Sequence, residues 1–233
     1  MFAAIIHARI TRRLALGAAA LAVAAQIAGC HAQQTMQSYN PPPPAEDEFD
    51  KSANTPPNAD TLYRMSRILA AQHKDDQCQA VLRNCIERYP NYMPAYAGLA
   101  QVQVRQRKLA AAMSTLKDGL ALQPKDSVLL NDLGMCYMLS GDYESALAQF
   151  TAAHEASPDD ARYTANMALA TGMLGRYEHA LTLYQTIAKP GKAHYNVAVV
   201  AEARNDMQKA NEEYAAALAL DPWCQRKSRS SDK

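Results

Sequence analysis

Apolar and small residues between Ser127 and Pro158 fall into two short helical stripes. Leu130, Leu133, Gly134 and Tyr137 stand at i, i+3, i+4 and i+7, which places them on one face of a helix. Gly141 interrupts this spacing. Ala146, Phe150 and Ala153 resume it on a second segment, and Pro158, which cannot continue a helix, closes that segment. The first stripe runs large, small, aromatic, and the second runs small, aromatic, small. Two helices patterned in this way can approach closely, so the stretch predicts a helix-turn-helix pair.

The pattern recurs. Proline stands at 158, 124 and 90, an interval of 34 residues each time. The unit 93–124 carries Tyr96, Leu99, Ala100, Ala112, Leu116 and Gly119 at the corresponding places. The unit 59–90 is degenerate, with Leu62, Met65, Ser66, Leu69, Cys78, Leu82 and Cys85 in the same slots, as expected of the atypical repeat at an array's end. Downstream, 161–190 offers Met167, Ala168, Gly175, Tyr177, Ala180, Tyr184 and Ile187, and closes early at Lys189-Pro190-Gly191. The unit 191–222 offers Val197, Ala198, Ala201, Ala210, Tyr214, Ala217 and Pro222. Helix pairs repeating every 34 residues in this order resemble the tetratricopeptide repeat (TPR). That resemblance implies an all-α fold, a right-handed TPR superhelix (α-solenoid) of about five helix-turn-helix repeats, each unable to bury its apolar face alone.

The N-terminus reads as an address. Residues 1–29 combine a basic start ending in Arg12-Arg13 with an Ala-rich apolar run from Leu14 to Ala28, too short to span a bilayer comfortably. The run closes in Ile27-Ala28-Gly29-Cys30, which resembles the bacterial lipobox. The resemblance implies cleavage before Cys30, lipidation of its sulfur and acylation of the new amino terminus. The other reading is an ordinary signal peptide followed by a fortuitous cysteine. By the same resemblance, His31 in place of Asp implies sorting to the outer membrane, facing the periplasm. Residues 30–58 form a polar, Pro-rich and acidic tether that cannot bury a core. The basic tail 223–233 is too short for a capping helix, although Trp223 is placed to cover the end of the array.

Charge narrows the function classes. The whole chain carries a net charge of +1, and without residues 1–29 it keeps 21 basic against 23 acidic residues, so no basic surface for nucleic acid is expected. Histidines 73, 154, 179 and 194 sit in different units without metal-binding spacing. No Gly-rich phosphate loop and no nucleophile elbow occurs. An enzyme is not expected, and neither a cofactor nor a metal. Cys78 and Cys85 lie seven apart on one helix face, about 10 Å along the axis and too far apart to bridge. Both fill slots that want a small residue, and Cys136 also lies within a helix.

In TPR arrays the first helix of each pair lines a concave groove, and the register then names its candidate partner-binding residues. They are Arg67 in the first unit, Gln101 and Arg105 in the second, Asn131, Asp132, Met135 and Met138 in the third, Asn166, Leu169 and Met173 in the fourth, and Tyr195, Asn196 and Val199 in the fifth. Asp132, Asn166 and Asn196 share one register position. Side chains of this kind ranked along a groove can pair with the backbone of a bound peptide, or they can bond within their own scaffold. Met135, Met138, Leu139 and Met173 suit an apolar partner segment, and equally suit a core. The expected partner is a protein or peptide in the groove, with the membrane reached through the lipid anchor.

The stretch Ala161-Arg162, Asn166-Met167-Ala168-Leu169-Ala170 and Leu174-Gly175-Arg176 resembles the TadD-like lipoproteins of tight-adherence (Flp) pilus assembly. The resemblance implies a non-catalytic, membrane-anchored scaffold that helps a pilus or secretion system assemble. A TPR adaptor of peptidoglycan enzymes is the alternative.

Overall fold

The computed structural model describes residues 57–222. The signal segment, Cys30, the tether as far as Pro56, and the tail with Trp223 and Cys224 lie outside the described residues. Ten α-helices follow one another: α1 Ala59–Ala71, α2 Asp75–Arg88, α3 Met93–Arg105, α4 Leu109–Leu122, α5 Ser127–Ser140, α6 Tyr143–Ala156, α7 Ala161–Met173, α8 Tyr177–Ile187, α9 Pro190–Ala203 and α10 Met207–Leu220. They form two compact units, α1–α4 in residues 57–124 and α5–α10 in residues 125–222. No strand occurs among the described residues, and the fold is the all-α arrangement of consecutive helix pairs that the 34-residue pattern implies.

Local chemistry sets the helix ends. Helices α2, α4, α6 and α10 each stop two residues before a proline, at Pro90, Pro124, Pro158 and Pro222. Proline crowds the residue before it out of the helical region, and Tyr89, Gln123, Ser157 and Asp221 accordingly sit at φ −134°, −131°, −147° and −149°. Pro190 behaves differently from the expectation that it closes the fourth unit. It is the first residue of α9, where its missing N–H has no intrahelical role. The shortening falls on α8 instead, which has 11 residues where α2, α4, α6 and α10 have 14.

Within each pair the turn is built alike. His73, Arg107, Gly141, Gly175 and Asn205 occupy equivalent positions, and all five have positive φ, between 56° and 83°. The following N–H donates back five residues along the chain. Lys74 reaches Leu69 O, Lys108 reaches Gln103 O and Asp142 reaches Tyr137 O at 2.8–3.0 Å, while Arg176 and Asp206 reach Thr171 O and Ala201 O at 3.2 and 2.9 Å. These are Schellman motifs, which satisfy carbonyls left open at a helix end.

The core lies between and along the pairs. In residues 57–124, Leu62, Cys78, Leu82, Cys85, Ala95, Leu99 and Val102 form one buried cluster. In residues 125–222 a larger cluster includes Phe150, Ala168, Tyr184, Val197 and Val200. Close approach depends on small residues facing large ones: a Cβ on Gly134 would stand 2.6 Å from Phe150 Cε1, where no ordinary contact exists. Cys78, Cys85 and Cys136 are buried free thiols. Cys78 Sγ donates to Ser66 O at 3.1 Å, so these cysteines act as small packing residues, in line with their slots in the repeat.

Candidate partner-binding face

In residues 57–124 the three candidate residues lie on the first helices of their pairs. Arg67 on α1 and Gln101 on α3 are exposed. Arg105, at the end of α3, is held by the start of α2, with Nη2 2.7 Å and Nε 3.2 Å from Asp75 Oδ1. The guanidinium bonded to Asp75 holds that carboxyl below its usual range. Arg105 thus braces α3 against α2 and is already occupied by the scaffold.

In residues 125–222 the candidates divide into two groups. Asp126 caps α5 by accepting from Leu129 N at 2.9 Å, and its first turns then carry Asn131 and Asp132, both half-buried. Asp160 caps α7 in the same way, accepting from Arg162 N at 3.0 Å. One turn further on, Asn166 Nδ2 donates to Asn131 Oδ1 at 2.6 Å, and Asn131 Nδ2 donates in turn to Asp132 Oδ1 at 3.5 Å. A chain of two amides and a carboxylate therefore crosses from α7 to α5. For Asn166, this bond to Asn131 is the second of the two roles open to it from its register. Arg162, ion-paired with Asp160 at 2.6 Å, lies within electrostatic reach of Asp132. On α9, Tyr195 is half-buried, packs edge-on against Tyr214 with ring centroids 5.6 Å apart, and lies beneath Lys192 Nζ at 4.6 Å. Met135 is half-buried against the core.

The remaining candidates are core residues. Met138, Leu169, Met173 and Val199 are buried in the cluster with Phe150 and Tyr184, and Asn196 is also buried, 4% exposed. They do not line an open groove, which corrects the expectation from register. The reason is packing between successive first helices. Gly172 on α7 lets α9 approach so closely that a Cβ there would meet Val200 Cγ1 at 2.8 Å, and this closes over the side chains between them. The signal was present in the near-continuous apolar run Met167–Met173, since a helix apolar on all sides is normally buried. Asn196 consequently stands apart from the Asp132 and Asn166 pairing, and its Oδ1 has no hydrogen-bond partner among the described residues. Register alone did not single out Arg162 and Lys192, which join this face through the sequence neighbours Asp160 and Tyr195 and, for Arg162, through Asp132, which the fold brings within reach.

The face presents hydrogen-bonding groups, charge and partial apolar cover. The one thiol beneath it, Cys136, is pushed up to about 12 by burial, with the Asp132 carboxylate adding to the shift, so it stays protonated and is a poor nucleophile. Among the described residues no group of three His, Cys, Asp or Glu side chains could hold a metal ion. Among the same residues no helix is long and apolar enough to cross a membrane.

Comparison with known proteins agrees with the geometry. Two tetratricopeptide-repeat family models match, one over residues 60–92 and the other over 103–170. Among curated proteins, the chain is 35% identical over 92 residues to mouse (Mus musculus) Superkiller complex protein 3, covering 40% of this chain and 6% of that protein. It is 29% identical over 97 residues to the CTR9 homolog of Arabidopsis thaliana, covering 42% of this chain and 9% of that protein. The chain therefore matches less than a tenth of the length of these relatives. Among solved structures, YrrB, described as a TPR protein with an unusual peptide-binding site, aligns with TM-score 0.55 and 18% identity, over 71% of this chain and 87% of that one. A tetratricopeptide repeat protein from Parabacteroides merdae aligns with TM-score 0.57 and 18% identity, over 70% and 67%. The tetratricopeptide repeat is a protein-binding fold and generally a non-catalytic one. The chain carries tetratricopeptide repeats, and its described residues adopt the fold of tetratricopeptide-repeat proteins.

Proposed function

We propose that this chain is a lipid-anchored docking protein of the bacterial cell envelope. Cys30 holds it to the outer membrane, and the face built by α5, α7 and Tyr195 receives a segment of a partner protein. The observation that carries the binding reading is the bond between Asn166 and Asn131, continued to Asp132. It fixes amide and carboxylate groups on neighbouring first helices while leaving them half-exposed, so they meet a partner backbone without first having to be ordered. Met135, further along α5, and the half-buried Tyr195 ring on α9 are the apolar groups available to cover a partner. A peptide-binding site is also what the name of the structural neighbour YrrB records. The anchor rests on the lipobox-like Ile27-Ala28-Gly29-Cys30. The role in assembling a pilus or secretion system rests on the Ala161–Arg176 motif.

A photo-crosslinker at Met135 in the native host tests both parts together. Crosslinking to a defined envelope partner is expected, with a fall of at least tenfold in the Asp132→Ala variant while its thermal unfolding stays within 2 °C of wild type. Cys30→Ala should move the protein from the membrane to the soluble fraction and leave its affinity for the purified partner unchanged. Equal crosslinking with and without Asp132 would remove the face from the binding site.

A further inference from the structure

Both ends of the described array carry half of an interface that the chain elsewhere completes internally. Ile68 on α1 stands in the register of Val102, Cys136, Ala170 and Val200, all of which are 2% exposed or less, yet Ile68 is 60% exposed. Met65 stands in the register of Leu99, Leu133 and Val197, all buried, and is 50% exposed. The structure shows what this position is for. Val200 of α9 packs on Gly172 of α7, the first helix of the preceding pair, and Val102 belongs to the cluster holding Cys78 and Leu82 of the preceding second helix. The α1 face is thus the receiving side of a pair-to-pair junction.

The opposite end carries the donating side. Leu218 on α10 is 47% exposed and stands in the register of Ile86 and His154. Ile86 packs against the cluster shared with α3, and His154 Nδ1 meets Thr164 Oγ1 of the following pair at 3.3 Å. Tyr214 is only half-buried in the position where Leu82, Leu116, Phe150 and Tyr184 are fully buried. Polar pairs at an internal junction also have counterparts here. Arg105 pairs with Asp75, and Gln106 donates to Asp76 at 3.0 Å. The corresponding residues at the two ends are Ala71 with Met207, and Gln72 with Gln208, an apolar match and an amide match. Both ends are mixed in character: Thr61 and the ion pair of Arg64 with Asp60 are exposed on α1, and Asn211 and Glu212 on α10, so the apolar part of each end is confined to Met65 with Ile68 and to Met207 with Leu218.

We infer that α1 of one copy docks on α10 of another, so that the chain associates head to tail through the same pair-to-pair junction it uses internally. Such a contact is heterologous: each copy keeps one free end of each kind, and chains of several copies result.

That asymmetry provides the test, made in analytical ultracentrifugation with the otherwise wild-type chain carrying Cys30→Ala throughout, so that no lipid drives association. Wild type is expected to show a mass that rises with concentration beyond two chains. Ile68→Asp spoils only the α1 end and Leu218→Asp only the α10 end. Both side chains are solvent-exposed within one copy, so helicity and melting temperature should match wild type, which circular dichroism checks. Each variant alone should sediment as one chain. Mixed in equal amounts they should form a species of two chains and nothing larger, because one intact α1 end then meets one intact α10 end. Wild type remaining a single chain at high concentration overturns the inference. Failure of the mixture to pair, or association of either variant as strong as wild type, overturns it equally.

Discussion

Gly134 shows how much of the fold one atom controls. Its register position is filled by Ser66, Ala100, Ala168 and Ala198 in the other pairs, all small and buried. Opposite it lies the fully buried ring of Phe150. Replacing Gly134 by Leu forces Phe150 out of its place and should destabilise the chain by about 1–3 kcal/mol through overpacking. Chemical denaturation of the two proteins measures this directly, and an unchanged midpoint would show that the register is wrong. Tyr184 poses the opposite problem. It occupies the Phe150 position one pair later, is fully buried, and its hydroxyl has no hydrogen-bond partner among the described residues. Burial pushes the ionisation of that hydroxyl far up, and desolvating it is a net penalty. Tyr184→Phe should therefore raise stability by about 1 kcal/mol, seen as a higher melting temperature; a clear loss would reveal a partner for the hydroxyl. The alternation of small and large residues was legible in the sequence because it is a local steric requirement. The burial of Leu169 had a signal in the apolar run around it, but that of Asn196 was not legible, because which side of a first helix is covered depends on how closely the next pair approaches.

At the scale of the element, each pair is a unit of two helices whose ends are set by a few residues. Prolines stop second helices by holding the residue before them out of the helical region, and aspartates at 126, 142, 160 and 206 cap the helices that follow. The turn inside each pair demands one left-handed residue. Glycine meets that demand at 141 and 175, but His73, Arg107 and Asn205 meet it with a side chain in place. A β-carbon in that region is strained, so Arg107→Gly should stabilise the chain by about 0.5–1 kcal/mol after the greater freedom of glycine in the unfolded state is offset. Urea denaturation checks the sign. A decrease would mean that the Arg107 side chain makes a contact worth more than the strain. The two glycines announced their turns in the sequence. The turns at His73 and Arg107 were legible only through the 34-residue interval, since nothing local marks histidine or arginine as a turn residue, whereas Asn205, 30 residues after Gly175, is of a type that visits this conformation readily.

At the scale of the whole molecule, one pattern is written repeatedly, and function lies where the copies differ. Position 132 and its equivalents run from Arg64 and Gly98 to Asp132, Asn166 and the buried Asn196, so four residue types stand at one place on a common backbone. The sequence by itself determined the fold class, the helix pairs, their period and the small residues that let the pairs close, because periodicity, prolines and steric size act within a few residues of one another. It also determined that charge is balanced and that no catalytic constellation is spelled out. Only the tertiary structure decided which register positions are surface and which are core. Met138, Leu169, Met173, Asn196 and Val199 went inside, while Asn131 found Asn166 across two helices, 35 residues away. The same structure left Met65, Ile68 and Leu218 exposed at positions that are covered elsewhere. The reason is common to all of them: a side chain in a repeat array is buried by its neighbouring pair, and whether that neighbour is present and how near it comes is a property of the assembled fold.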